Sequence, residues 1–496
     1  MDGNNGNFIV AGDLHITPYE IKSLLEVNIE QRMNEHGTFY FRGVLPDGVG
    51  ETYAMTSSIG TPISLTARDN LGREYTLFQG LVNNLEIQVI QDVYHIEVHA
   101  ISYSSLLDIA RKSRSFQDKR MSYANLIRQV TSDHPSATVI DVAPTGSPIG
   151  KFIVQHLETD WAFLKRMASH FNTGLVPDIR VAGAKYYFGV PELSTVTMNN
   201  INYSIKKDIC QYKELSQNGV TGLHEEDFIY YEIETRSVVN IGDRVIFNNR
   251  TLFVNTITSH ANNGIFTSLC LLSSKKAFSL RLQEHTEAIG TSFGGRVIDV
   301  VNDCIRVHLD IDLAQEVETA YLLPFSTVYS SADGSGWYFM PDVGDRVRVY
   351  FPDGDDDHTY AISSVHMPTS GSGETGLMTG GNESSGAVAR TNSQGGNMRD
   401  DSNIRSISAH GKMIKITPDG IYIISDDSNI SLTMEHGIVI TSEKDISFKS
   451  SQNIYMGAEE SIQLIAGESV VMRRGESSSI TLDENIEVRW QEVMMN

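Results

Sequence analysis

Basic residues and cysteine are scarce in this chain. Lysine and arginine together number 39 against 62 aspartates and glutamates, a formal charge of -23. Phosphate recognition needs a basic surface, so no nucleic-acid partner is expected. The three cysteines, Cys210, Cys270 and Cys304, are far apart and odd in number, which is neither a disulfide framework nor a zinc-ligand spacing. No stretch approaches the roughly 20 apolar residues of a membrane span. The opening "MDGNNGNFIVAGDLH" has no basic start followed by an apolar core. No signal peptide is therefore read, and the chain is expected to fold in a cytoplasm and to leave it, if it does, by another route.

Catalytic signatures are missing as well. No nucleophile elbow, HExxH or phosphate loop stands in a strand-turn-helix context. His95 and His99 fall on one strand face about 13 Å apart, too far to share a metal. Glu459 and Glu460 are adjacent and point to opposite faces of a strand, so they cannot work as a carboxylate pair. The acidic run "DGDDDH", Asp353 to His358, lacks the closing glutamate of an EF-hand and reads as a solvated hairpin loop. No enzyme activity, metal or cofactor is expected.

What is present is alternation. At 496 residues the chain suggests three or four domains at about 150 residues each. "LLEVNIE" puts Leu25, Val27 and Ile29 on one strand face, and "LEIQVIQDVYHIEVHAIS" reads as a hairpin bent at Gln91-Asp92. Two helices interrupt the strands. One is capped by Ser122 and carries Leu126, Ile127 and Val130 on its apolar stripe. The other starts at Thr159 or Asp160, buries Trp161, Leu164, Ala168 and Phe171, and stops near Gly174. "IGDRVIFNNRTLFVNTITSH" gives two further strands joined at Asn248-Asn249, and residues 289 to 366 show strand-turn-strand spacing that fits a small barrel. Residues 369 to 403 hold eight Gly and six Ser in 35 positions, too few apolar groups for a packed unit.

The C-terminal region then repeats itself: "IVITSEKD ISFKSSQN IYMGAEES IQLIAGES VV". Each octad opens on an aliphatic residue (Ile438, Ile446, Ile454, Ile462, Val470) and is apolar again two positions on (Ile440, Phe448, Met456, Leu464, Met472). Ile430 and Leu432 extend both rows one octad upstream. Residues two apart share a strand face, so the unit is a short strand plus a turn, stacked as a β-helix. The period fits either a single chain coiling as a three-sided solenoid of about 24 residues per coil or three intertwined chains.

These parts resemble, in this order, the central spike of contractile injection machines. The group includes the VgrG family of type VI secretion, the spikes of extracellular injection systems and tailocins, and the hub and cell-puncturing proteins of contractile phage tails. "FIVQHLETDWAFLKRMASHFNTGLVPD" looks like the helix-bearing hub signature. "GWYFMPDVGDRVRVYF", with Gly336, Trp337, Pro341, Val343, Gly344 and Asp345, looks like the motif of the OB-fold barrel that follows the hub. The octads look like the needle.

The resemblance implies a mainly β, multidomain chain. It would comprise a hub β-barrel domain with inserted helices (1–174), a second hub β domain (175–288), an OB-fold barrel (289–368), a Gly/Ser-rich linker (369–403) and an intertwined trimeric β-helix (404–496). It further implies a homotrimer, of charge three times -23 or -69, that templates an inner tube of Hcp-like protein, meets baseplate proteins and pierces an envelope. Effector cargo is a further partner class. The metal-binding His-x-His tip of some phage needles is missing, the last histidine being His436. A PAAR-like tip protein is expected instead, against Ile486, Val488 and Trp490. The alternative reading is a trimeric carbohydrate-binding or carbohydrate-degrading tailspike.

Overall fold

The computed structural model describes residues 8–58, 60–198, 202–262, 264–328, 336–363, 404–474 and 478–482. They fall into two compact units, Met1–Asp419 and Gly420–Asn496.

One continuous sheet organises the first unit. Its path runs Tyr203–Lys207, Ile229–Thr235, Ile265–Ser273, Arg250–Asn262, Ser23–Gln31, Thr38–Val44, Val93–Ser102, Glu74–Ile90, Pro62–Arg68, Leu14–Thr17. The join between early and late strands is the antiparallel pairing of Ser23–Gln31 with Arg250–Asn262, with Ile29 opposite Ser259 and Gln31 opposite Ile257. The sheet therefore crosses the position 174/175 at which the sequence suggests a boundary. Two apolar cores lie along it. One gathers Val27, Ile29, Phe39, Phe41, Phe78, Ile96 and Val98, the other Ile233, Phe247, Val254, Ile257, Cys270 and Leu272.

The hairpins turn where the sequence places them. Gln91 and Asp92 have φ of 49° and 62°, and Asn248 and Asn249 have 47° and 61°. A two-residue turn of type I′, whose twist matches that of the strands, needs both central residues left-handed, and Asn and Asp tolerate this. Leu25 departs from expectation. A bulge between Leu24 and Glu26 rotates Leu25 out of the row that Val27 and Ile29 keep, leaving it 48% exposed while Val27 is 1% exposed.

Between the two β bodies sits a helix-bearing module. Ser122 Oγ accepts from Asn125 N at the start of the helix Tyr123–Ser132, and Thr159 Oγ1 accepts from Ala162 N at the start of Asp160–Ser169. Leu126, Ile127, Val130, Trp161, Leu164 and Met167 pack into one core. Trp161 is a core residue, its Nε1 donating to Asn34 O at 3.2 Å. The left-handed residue after the second helix is Asn172, φ 52°, not Gly174. Glycine is required at 174 for another reason: a Cβ there would lie 2.5 Å from Asn34 Oδ1, the oxygen that accepts from Leu175 N.

Residues 292–363 form a five-stranded sheet in the order Leu322–Pro324, Cys304–Leu309, Ser292–Val301, Arg346–Tyr350, Tyr360–Ser363. A parallel bridge from Phe325 to Ala361 brings its two edges together. The strand Gly336–Phe339 pairs outside this barrel, with Arg405–Ala409, which pairs in turn with Lys412–Thr417.

The second unit opens with an antiparallel meander, Gly420–Ser425, Ser428–Thr433 and Gly437–Ser442. Residues 443–469 form no strand, and Val470–Arg474 pairs with Ser478–Leu482. The strand expected of every octad is thus present at those opening on Ile430, Ile438 and Val470 and absent from those opening on Ile446, Ile454 and Ile462. A unit with two apolar residues in eight cannot enclose them by itself, so the chain alone gives those residues nothing to pair with.

The bulge yields a direct test. Leu25→Asp is expected to shift stability by less than about 0.5 kcal/mol, whereas Val27→Asp on the buried row costs about 3 kcal/mol or more. Urea denaturation of the two variants checks this, and equal destabilisation would contradict the register.

Candidate functional site

The main joint of the first unit lies where the barrel sits on the helix-bearing module. It is built on the strand Ile153–Thr159, which pairs with Arg111–Phe116. Three consecutive apolar residues here serve two cores in alternation: Phe152 and Val154 enter the barrel core, and Ile153 enters the helix core. Successive side chains on an extended backbone point to opposite faces, so a strand wedged between two bodies reads as an unbroken apolar run.

Polar contacts fix the same joint. Asp312 of the barrel accepts from Ser115 N at 2.7 Å and Ser115 Oγ at 2.5 Å. Gln117 donates from Nε2 to Val307 O at 3.2 Å and accepts at Oε1 from Tyr321 N at 3.1 Å. Arg166, 4% exposed, makes a two-pronged pair with Glu158 at 3.1 and 2.8 Å. It also stands 3.6 Å from Asp356 of the barrel. Asp356 is buried, so the "DGDDDH" run is not simply a solvated loop. Its Asp353 and His358 pair at 2.7 Å in solvent, but Asp356 turns inward to Arg166.

Burial pushes the Asp356 carboxyl up to about 6, an effect that the charges of Arg166 and Lys151 only partly oppose. His285, also buried, is pushed down to about 3 by burial and by the Arg166 charge. His170 is held at about 3 by burial first and by Lys151 and Arg166 next; its Nδ1 lies 2.7 Å from Tyr123 Oη.

A second buried charge cluster orders the helix starts. Asp160 is held below its usual range: burial raises it, but Lys112, Gln155, His134 and Arg114 outweigh that. Lys112 lies 2.6 Å and Arg114 2.8 Å from its two oxygens.

The structure also assembles a serine, a histidine and an aspartate that no sequence motif announces. His36 Nδ1 lies 2.8 Å from Ser104 Oγ and its Nε2 3.2 Å from Asp108 Oδ2. Ser104 is buried and its hydroxyl is shared with Ser102 Oγ at 2.9 Å, so no substrate carbonyl can reach it. The trio instead holds His36 against Trp161, ring centroids 4.8 Å apart. Among the described residues no group of three His, Cys, Asp or Glu side chains is placed to hold a metal.

The barrel motif divides into two roles. Gly336 and Trp337 lie on the strand that leaves the barrel for Arg405–Ala409; Tyr338 and Met340 turn into the barrel core, while Trp337 and Phe339 are exposed. Pro341 leads into the turn formed by Val343, Gly344 and Asp345. Gly344 is left-handed at φ 101°, Gly344 N donates to Val297 O at 2.8 Å, and Val297 N donates to Asp345 O at 2.9 Å. Asp345 Oδ2 accepts from Asp342 N. The motif is therefore a turn pinned to the neighbouring strand.

The octad residues are placed as follows. Ile430 lies opposite Ile440 and Leu432 opposite Ile438 in the meander, and Val470 and Met472 lie opposite Leu482 and Ile480 in the last hairpin. Ile446, Phe448, Ile454, Met456, Ile462 and Leu464 are all outward-facing, between 48% and 71% exposed. Ile486, Val488 and Trp490 lie outside the described residues, as does the segment 369–403.

The joint makes a pH prediction with a definite sign. Asp356 has its pKa raised above 3.8 in the fold, so its contribution to stability is present at low pH and lost as pH rises through about 6. The buried histidines act oppositely, their contribution being lost as pH falls from 6.5 towards about 3. Relative to wild type, Asp356→Asn is expected to be more stable at pH 7.5 than at pH 4.5 by about 1–3 kcal/mol. Denaturant midpoints at the two pH values measure this, and a difference that does not change with pH would refute it.

No known family pattern and no curated protein matches the chain by sequence. Solved structures do match. The E. coli c3393 protein is described as a component of the type VI secretion system with structural similarity to the T4 bacteriophage tail proteins gp27 and gp5. It aligns with TM-score 0.50 and 11% identity over 70% of this chain and 98% of that one. The 43 kDa tail protein of prophage MuSo2 from Shewanella oneidensis aligns with TM-score 0.41 and 12% identity over 56% of this chain and 100% of that one. A Francisella PdpA-VgrG complex aligns with TM-score 0.45 and 9% identity over 88% of both chains. At such identities the likeness is one of fold: over the length it shares with the E. coli protein, the chain has that protein's fold.

Proposed function

We propose that the chain is a structural, non-enzymatic spike and hub of a contractile injection machine, working as a homotrimer. One observation carries the reading. Across residues 446–464 the side chains at octad positions one and three form two exposed apolar rows, on a backbone that, among the described residues, pairs with no strand. Three copies, each giving one octad to every layer, would bury those rows and pair those backbones at once. The type VI membership stated for the E. coli protein of the same fold supports the machine class.

The remaining parts take their roles from this. The barrel is an OB fold in this reading, supported by its order of a three-strand meander flanked by a hairpin, with parallel closure. Two β bodies with separate cores, taken three times, give six similar units, which is the basis for templating a hexameric inner tube. Baseplate proteins, a PAAR-like tip protein at Ile486, Val488 and Trp490, and effector cargo complete the partners. Assembly takes place in the cytoplasm, and contraction delivers the needle to or through the target envelope.

Hydrogen exchange tests the needle directly. In the purified full chain the amides of 446–469 are expected to exchange at least about 10³-fold slower than an unfolded chain. Ile454→Asp with Ile462→Asp is expected to release them while leaving the strands of residues 23–273 protected. Unfolded-chain exchange rates in the wild-type octads would defeat the proposal.

A further inference from the structure

After the strand Leu175–Pro177 the chain carries Asp178, Ile179 and Arg180 into a cleft where the helix-bearing module meets both β bodies. The loop is firmly placed. Ile179 is buried, and its carbonyl accepts from Gln79 N at 2.6 Å; one terminal nitrogen of Arg180 donates to Val239 O, also at 2.6 Å. The cleft has a volume of about 280 Å³, with Val176, Tyr187, Leu193 and Ile241 as its apolar walls. Leu193, 41% exposed, marks its rim.

Three charged side chains line the cleft, and they are not equally satisfied. Asp178 pairs with Lys185 Nζ at 2.9 Å and accepts from Arg180 N at 3.2 Å. Asp243 accepts from Ser194 N at 2.9 Å, Ser194 Oγ at 2.7 Å and Asn240 N at 2.6 Å. Both carboxylates are occupied by these partners. The Arg180 Nε, by contrast, is buried with no hydrogen-bond partner. Burial draws the guanidinium pKa below its ordinary value despite the nearby charges of Asp243 and Asp178. A buried charged donor lacking its acceptor is costly, and an acceptor of opposite charge is what the position lacks.

We propose that the cleft beside Arg180 is a binding site for a carboxylate that carries an apolar body. The guanidinium fork matches the geometry of a carboxylate, and Tyr187 and Leu193 supply surface for an aromatic or aliphatic group. The volume lies near the lower end of ligand pockets and suits a body about the size of one phenyl ring. A free organic acid and the C-terminal carboxylate of a docked polypeptide share this chemistry.

Titration of the full-length protein, followed by calorimetry and ligand-observed NMR, separates the outcomes. The probes are benzoate, N-acetyl-phenylalanine and, as an uncharged control, N-acetyl-phenylalanine amide. At least one acid is expected to bind saturably below about 10 mM, and the amide at least about tenfold more weakly. Arg180→Gln is expected to remove this preference for the acid. Should that variant fold poorly, Leu193→Trp, which fills the rim and retains the guanidinium, is expected to abolish binding. Benzoate binding alone identifies a small organic acid as the ligand, and binding of N-acetyl-phenylalanine alone identifies a chain end. Equal affinity for acid and amide, undiminished binding by Leu193→Trp, or no binding of either acid would overturn the proposal.

Discussion

Two apolar side chains in every eight residues are too few for a chain to enclose by itself, and the account of this protein depends on that constraint. The last part of the chain repeats the deficit octad after octad. Its backbone faces the same shortage as its side chains, because residues 443–469 form no strand ladder. A surface of this kind is stable only when other strands cover it, and the proposed trimer supplies them from copies of the same sequence. A needle so built would resist axial load because no chain could leave the stack without exposing both apolar rows and every ladder bond of its own.

The first unit solves a different problem, holding its barrel rigidly on the module beneath it. Phe152 and Val154 anchor one face of a strand in the barrel while Ile153 anchors the other face in the helix core. Around them Asp312, Gln117 and Arg166 cross the joint with buried polar contacts. Buried ion pairs such as Arg166 with Glu158 add little net stability once desolvation is counted, but they are directional, and in the proposed spike a joint under thrust would gain from fixed direction. The neighbouring titratable groups oppose one another in their response to pH, since Asp356 favours the fold in mild acid and His285 disfavours it.

Much of this was legible in the sequence, for local reasons. Period-2 alternation, the Asn248-Asn249 and Gln91-Asp92 turns, and the Ser122 and Thr159 caps each act over a few residues, and each falls where the pattern puts it. What was not legible depends on distant partners. Leu25 is displaced by a bulge in its strand's pairing with Thr38–Val44. Asp356 looks solvated in "DGDDDH" because the residue that buries it, Arg166, is 190 positions earlier. The His36, Ser104 and Asp108 trio and the Arg180 cleft likewise assemble from separated segments. The run Phe152 to Val154 was the one available signal of the joint: three consecutive apolar residues on a strand need two cores.

The mass of the purified chain in solution tests the central claim most directly. Multi-angle light scattering of the full-length protein should return three times 55.0 kDa, with no dissociation on dilution, because the apolar rows of each copy are covered only by the other two. A stable monomer of 55.0 kDa would mean that the octads persist without partners, and it would contradict both the intertwined needle and the sixfold argument for the hub.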